Sequence, residues 1–246
     1  MKKEDWFKNW FDSPYYHVLY KNRDKNEANV FIQNLVNWLQ LDKSSTVLDL
    51  GCGKGRHAIE LKKNYKKVVG IDLSKKSIDE AIKIAPEETH FSVHDMRDFQ
   101  LNESFNAIFN LFTSFGYFSS MSDNLKVLHQ CNKHLKAKGL LIIDFLNAEK
   151  VKSELVQREK KTIDSITFEI SKKIIANNVV KNIAFKDNGR LHNFQESVQL
   201  LSMDDFKSLF QKSNFRLLDT FGGYDLQQFN PISSKRLILV AIKLET

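Results

Sequence analysis

A doubly wound α/β fold is predicted for this chain: a seven-stranded, mostly parallel sheet with an antiparallel β cap inserted after the fifth strand. Three observations predict it. Residues 46–61, TVLDLGCGKGRHAIEL, run from an apolar strand through three alternating glycines (Gly51, Gly53, Gly55) straight into a helical pattern. Short apolar runs then alternate with amphipathic segments as far as residue 146. That alternation requires parallel strands with right-handed helical crossovers covering both faces. Between 151 and 200 the rhythm changes to strand-like runs separated by polar turns, and Asn188-Gly189 is a two-residue hairpin signal.

The elements follow in order. The first 25 residues concentrate aromatics: Trp6, Phe7, Trp10, Phe11, Tyr15, Tyr16 and Tyr20. Residues 26–41 set Phe31, Ile32, Leu35, Val36 and Leu39 at helical spacing. Strands are expected at 46–50, 67–72, 89–93, 105–111 and 139–146, with helices at 55–64, 75–84 and 121–135 and a turn at Gly139. In the insertion, strands cover 162–171, 177–186 and 189–199. A helix at 203–213 and strands at 215–222 and 235–243 then complete the main sheet as an antiparallel hairpin. The expected organisation is a core of 1–150 and 201–246 and a cap of 151–200. The cap is expected over the carboxyl ends of the strands, where open α/β sheets bind ligands.

Composition narrows the setting. The chain has 246 residues, 42% hydrophobic and 27% charged, ordinary values for a globular protein. No apolar run approaches the ~20 residues of a membrane span. The start, MKKEDWFKNWFDS, has no apolar stretch before a small-residue cleavage site. Two cysteines, Cys52 and Cys131, do not make a disulfide framework, and the chain reads as cytoplasmic. The net charge of +7 raises the question of nucleic acid. It is carried mostly by dispersed lysines, while arginine, the residue suited to bidentate phosphate and guanine contacts, forms no cluster. Charge alone therefore selects no partner.

The glycine turn is the chemical core of the sequence. A strand ending in such a turn and opening a helix presents backbone N–H groups and a positive helix end to a ligand. A dinucleotide fingerprint, G-x-G-x-x-G, would put its third glycine at position 56, which is Arg56. This chain has G-x-G-x-G instead, with Asp49 two positions before the first glycine. The next strand closes on Asp72, where a carboxylate can take two ribose hydroxyls. A third acid, Asp95, follows the strand at 89–93.

These three acids around G-x-G-x-G resemble class I S-adenosylmethionine-dependent methyltransferases, and the resemblance covers nearly the whole chain. It implies S-adenosyl-L-methionine as cofactor, with Asp95 toward the adenine amino group and Met96 on its ring. The cofactor set it implies is Tyr16, Tyr20, Arg23, Asp49, Gly51, Cys52, Gly53, Gly55, Arg56, Asp72, Leu73, Asp95, Met96, Arg97 and Asn110. The segments SPYYHVLYKNRD and FNAIFNLFTSFGYF and the cap resemble, more loosely, the glycine or sarcosine and amino-sugar N-methyltransferases. The expected reaction is in-line methyl transfer to N or O of a small polar metabolite. The alternatives are a methyltransferase of RNA or protein and a non-catalytic cofactor-binding protein.

The loop after the fourth strand weighs against nucleic acid. Enzymes acting on base amines carry Asn or Asp, two prolines and an aromatic there, whereas this chain reads Asn110-Leu111-Phe112-Thr113. Residues 113–117 read either as a pocket wall with Tyr117 as a polar handle or as a tight loop with its aromatics turned inward. Tyr16, Tyr20 and Arg23 read either as part of a lid over the cofactor or as a staple of the N-terminal helix. Tyr16, Tyr117 and His192 are the candidates for accepting a proton. His17, His57, His129 and His134 read as surface or helix-end residues. No metal ligand set is expected, because His90 and His94 fall on a strand and its exit. Oligomeric state is left open.

Overall fold

The computed structural model describes residues 6–21 and 25–245. The aromatic N-terminal segment forms two short helices, α1 (Trp6–Phe11) and α2 (Pro14–Leu19). The break falls at Ser13, whose hydroxyl accepts the Tyr15 amide, and Pro14 takes the first helical position, where its missing N–H costs nothing. Helix α3 (Lys25–Leu39) leads to the alternating core of β1 (Thr46–Leu50), α4 (Arg56–Lys62), β2 (Lys67–Asp72), α5 (Lys75–Lys83), β3 (Thr89–Val93), β4 (Phe105–Asn110), α6 (Met121–His134) and β5 (Leu135–Leu146). After α7 (Ala148–Ser153) come β6 (Arg158–Ile163), β7 (Ile166–Ile175), β8 (Asn178–Asp187) and β9 (Arg190–Gln199). Helix α8 (Met203–Lys212), β10 (Phe215–Phe221) and β11 (Arg236–Lys243) end the chain.

The main sheet has seven strands in the order β10-β11-β5-β4-β1-β2-β3. Strands β1 to β5 run parallel, and β11 pairs antiparallel with both β5 and β10. The chain starts in the middle at β1, runs out to β3, then returns to place β4 on the other side of β1. That reversal opens a crevice at the carboxyl ends of β1 and β4. Both faces are apolar, and the pleat divides them: along β11, Leu237, Leu239 and Ala241 join one buried cluster and Ile238 and Val240 the other. Helices α6 and α8 cover the first face, and α3, α4 and α5 the second.

The insertion is a separate antiparallel sheet, β6-β7-β8-β9. Its three hairpins turn on residue pairs with left-handed backbone: Asp164-Ser165, Ala176-Asn177 and Asn188-Gly189. The first of these lies inside the span expected as one strand, because Asp-Ser carries no glycine to announce a turn. A second departure is β5, which begins at Leu135 rather than 139. A register shift opposite Phe105 and Ala107 takes up the extra residues. One face of the small sheet packs on the N-terminal helices, with Trp10 and Leu19 buried against Phe168, Ile170, Ile183 and Phe185.

Candidate functional site

The site grows from the turn after β1. All three glycines have positive φ, +79°, +54° and +80°. A Cβ on Gly51 would meet Ser114 Cβ at 2.8 Å, and one on Gly55 would meet the Phe91 ring at 2.6 Å. Glycine is therefore required at both ends of the turn. The amides of Gly51 and Cys52 donate to the carbonyl of Ile71 at 2.8 and 3.0 Å, fastening the turn to the end of β2. Gly55, the N-cap of α4, has no side chain to cap the helix. Asp49, on β1, accepts the Ala58 amide in the first turn of α4 and so supplies the cap from below. It is 1% exposed, and one carboxylate oxygen has no partner. Burial, reinforced by the charge of Asp72, pushes its carboxyl up to about 7.

Asp72 closes the other side of the turn. One of its oxygens accepts the Gly53 amide at 2.8 Å and the other the Ser74 amide at 2.8 Å. A carboxylate has about four lone-pair positions, so acceptor capacity remains for a ligand diol. Burial raises its carboxyl above the usual carboxylate range. Asp95, after β3, is held by Arg97, whose amide and guanidinium donate to it at 2.7–3.2 Å. Arg97 also lies over the Phe118 ring, 4.7 Å from its centroid. Opposite, Phe112 and Thr113 both adopt left-handed backbone, φ +63° and +61°, which is strained for bulky or branched residues. Asp144 holds them there: its carboxylate accepts the Phe112 amide at 2.8 Å and its carbonyl the Thr113 amide at 2.9 Å. Arg236 donates to Asp144 and to Thr113 Oγ1, each at 2.7 Å.

Together these elements enclose a cavity of about 560 Å³, within the range that holds a cofactor-sized ligand. Of the residues expected from the sequence, Tyr16, Tyr20, Gly51, Cys52, Gly53, Arg56, Asp72, Leu73, Asp95, Met96 and Tyr117 line it. Five do not. Asp49 and Gly55 lie beneath the turn and shape it, and Arg97 acts through Asp95. Asn110 is 1% exposed and donates to the Leu50 carbonyl at 2.8 Å, tying β4 to β1. His192 is packed against Tyr15 and Phe185 on the small sheet and is not among the lining residues. Arg23 lies outside the described residues.

Several lining residues escaped the sequence reading. Phe7, Phe11 and His17 come from the N-terminal helices, His57 from α4, and Lys54, Phe112 and Phe118 from the loops, while Ser114 lies in the 113–117 segment expected as a pocket wall. His17, in the last turn of α2, and His57, in the first turn of α4, are thus helix-end residues that also line the cavity. Burial, with Lys54 nearby for one and Arg56 for the other, lowers their imidazoles to about 4 and about 3, so both are neutral near pH 7. The N-terminal helices are fastened over the cavity from two sides. Ser74 Oγ donates to Asp12, Trp10 Nε1 and Tyr20 OH donate to Glu196 at 2.6 Å each, and Tyr15 OH donates to Asp187 at 2.8 Å. No residue of the small sheet lines the cavity. The expected cap therefore reaches the site through α1 and α2.

The sheet order, the switch point and the glycine turn facing an acid at the end of β2 give the cavity the framework of a doubly wound α/β ligand site. Residues 21–220 match the model of a family described as a methyltransferase domain. The chain belongs to that family. It is 26% identical over 135 residues to a dTDP-3-amino-3,4,6-trideoxy-α-D-glucopyranose N,N-dimethyltransferase of Streptomyces venezuelae, covering 52% of this chain and 56% of that one. It is 31% identical over 105 residues to a dTDP-4-amino-2,3,4,6-tetradeoxy-D-glucose N,N-dimethyltransferase of Saccharopolyspora spinosa, covering 43% and 42%. These matches span about half of each relative's length. The fold is shared with a solved S-adenosylmethionine-dependent methyltransferase from Clostridium acetobutylicum, with a TM-score of 0.80 at 18% identity over 94% of this chain and 96% of that one.

Proposed function

We propose that this protein binds S-adenosyl-L-methionine in the 560 Å³ cavity and methylates the nitrogen of a small polar metabolite of the amino-sugar kind. The observation that carries the reading is the placement of the fixed glycine turn and the Asp72 carboxylate on one cavity at the switch point of the sheet. Asp72 would take the ribose hydroxyls, Asp95 the adenine amino group and Met96 the ring face. The turn would accept the ligand against bare backbone. When bound, the cofactor supplies a methyl group already activated by its sulfonium. The chain's own residues then have to hold the acceptor in line and exclude water, and alignment alone is worth roughly 7–11 kcal/mol. The rings of α1, α2 and the loop after β4 line the cavity and narrow its access to solvent. The two neutral imidazoles add no positive charge against an amine.

A small acceptor is favoured over nucleic acid because the cavity is lined by aromatic helices and, among the described residues, by one arginine, Arg56, rather than a cluster. The amino-sugar class is supported by the names of the curated relatives. The organisation we propose is a binding core of 1–150 and 201–246 with 151–200 as a cap. The buried free thiols of Cys52 and Cys131 suit a reducing cytoplasm.

Calorimetry tests the cofactor. Micromolar binding of S-adenosyl-L-methionine and its demethylated product is expected, roughly −8 kcal/mol. Asp72→Ala should weaken it at least tenfold, because the ribose acceptor and the anchor of the Gly53 amide are lost together. Failure of the intact protein to bind, or tighter binding of NAD, would overturn the assignment. Transfer of labelled methyl to RNA but to no amine in a sugar-amine panel would favour the alternative acceptor.

A further inference from the structure

We propose that Phe11, Tyr16 and Tyr117 form a cation-binding acceptor subsite that holds the methylated product as an alkylammonium ion. The inference rests on the cofactor reading above and concerns what occupies the rest of the same cavity. The three rings come from α1, α2 and the loop after β4, and all of them line the cavity. Phe11 contacts Tyr16 at 5.0 Å and 69° and Tyr117 at 5.3 Å and 62°. Parallel rings would make a stack with one usable face. Rings inclined by 60–70° from one to the next present surfaces in different directions, so together they can bound a positive centre on more than one side.

The wall is buttressed as a binding surface needs to be. Trp6 packs edge-on against both Phe11 and Tyr117, at 5.7 and 5.6 Å. Tyr16 contacts Tyr20 at 4.9 Å, and the Tyr20 hydroxyl accepts from the Lys181 ammonium, which fixes this end of the wall. That cation is balanced by Glu196 at 3.3 Å, and Lys21, at the cavity edge, by Asp164 at 2.7 Å. His17, on the same helix as Tyr16, is neutral near pH 7. The lining acids Glu60, Asp72 and Asp95 belong to α4, the end of β2 and the segment after β3, on the cofactor side. When the amine nitrogen takes the methyl group, the N–C bond forms as the S–C bond breaks, the electron pair goes to sulfur and the positive charge passes to nitrogen. The rings therefore meet the charge where it arrives. They favour an acceptor that is already alkylated, whose weakly hydrated cation suits an aromatic wall better than a primary ammonium.

The test needs no knowledge of the natural acceptor. With S-adenosyl-L-homocysteine bound, choline and its carbon isostere 3,3-dimethylbutan-1-ol are titrated by ligand-observed NMR. Choline should bind about tenfold more tightly than the isostere, the preference expected of a cation on aromatic faces. Phe11→Leu and Tyr117→Leu, which keep apolar bulk and remove the π face, should bring the two ligands level. Binding of S-adenosyl-L-homocysteine by each variant reports that the cavity is folded. Equal affinities in the unaltered protein, with the homocysteine product bound, would overturn the subsite and leave the cofactor reading standing. Loss of S-adenosyl-L-homocysteine binding by the unaltered protein would overturn both. Variants that lose S-adenosyl-L-methionine but keep S-adenosyl-L-homocysteine, with choline unbound throughout, would assign the rings to the sulfonium and overturn the proposal.

Discussion

Arg236→Met should be among the most damaging single changes in this protein, although it replaces no cavity-lining residue. Asp144 is fully buried, and the Arg236 guanidinium, 2.7 Å away and with a side chain 22% exposed, is its charged partner. Removing one member of such a pair strands the other charge in a low-dielectric site, a loss of about 3–5 kcal/mol. For a chain of this size each kcal/mol moves the melting midpoint by about 2–4 °C, so a fall of roughly 6–20 °C is expected. The damage should also be directional. Arg236 donates to Thr113 Oγ1, and Asp144 holds the amides of Phe112 and Thr113 in their left-handed conformation. Once that clamp loosens, the strained loop relaxes and Phe112 and Ser114 leave the cavity wall.

Thermal denaturation by circular dichroism, with and without S-adenosyl-L-homocysteine, measures both effects. The variant should melt lower and gain less from the ligand than the parent does. The double variant Asp144→Leu/Arg236→Met removes the stranded charge and should recover part of the melting loss without recovering ligand stabilisation. A midpoint within about 2 °C of the parent would refute the reasoning, since a desolvated partner cannot be lost that cheaply.

Three further outcomes are expected. Asp49 binds a proton in the folded protein up to about pH 7 but in the unfolded chain only to about 3.8, so without ligand its contribution to stability falls as pH rises between those values and is flat above them. Asp49→Asn keeps an oxygen for the Ala58 amide and should flatten the pH dependence of the unfolding free energy, read by chemical denaturation, by up to about 4 kcal/mol; an unchanged slope would refute the assignment. Gly55→Ala forces a side chain into left-handed backbone and onto the Phe91 ring, and should cost about 2–4 kcal/mol in chemical denaturation; a neutral result would mean the turn rearranges freely. Replacing 158–199 by a short linker should weaken cofactor binding as well as turnover, because Trp10 and Leu19 lose the sheet they pack on; calorimetry giving the parent affinity would show that α1 and α2 hold their place without it.

The sequence was most legible where local chemistry and fold coincide. Three glycines at alternate positions admit few conformations, and the strand before them and the helix after them follow from apolar spacing. The turn, Asp72, Asp95 and the order of the core strands were therefore readable one segment at a time. Residues whose role depends on distant partners were not. Nothing near Arg236 in the chain reveals Asp144, because β5 and β11 meet only through the sheet. His17 and Phe11 belong to an aromatic segment that suits a staple as well as a lid, and only the tertiary structure shows α1 and α2 packing on the small sheet while they line the cavity. His192 drew attention by its place beside a hairpin, but the register pairs it with Phe185 on the face that receives Tyr15.

That arrangement explains why the insertion matters to a site it does not touch. The chain leaves the main sheet at the end of β5, beside the crevice, builds β6 to β9 outward, and returns at Gln199, whose amide donates to the Gly116 carbonyl at 2.8 Å. The loop that carries Tyr117 is thus pinned by the last residue of β9. The helices that carry Phe11 and Tyr16 rest on the insertion's apolar face. Changes in the small sheet can therefore shift the acceptor wall from both of its sides. The glycine turn and Asp72 are fixed by β1, β2 and α4, which the insertion does not contact through any of the bonds described. Acceptor preference can then vary through the insertion while cofactor affinity holds, provided α1 and α2 keep a surface to pack on.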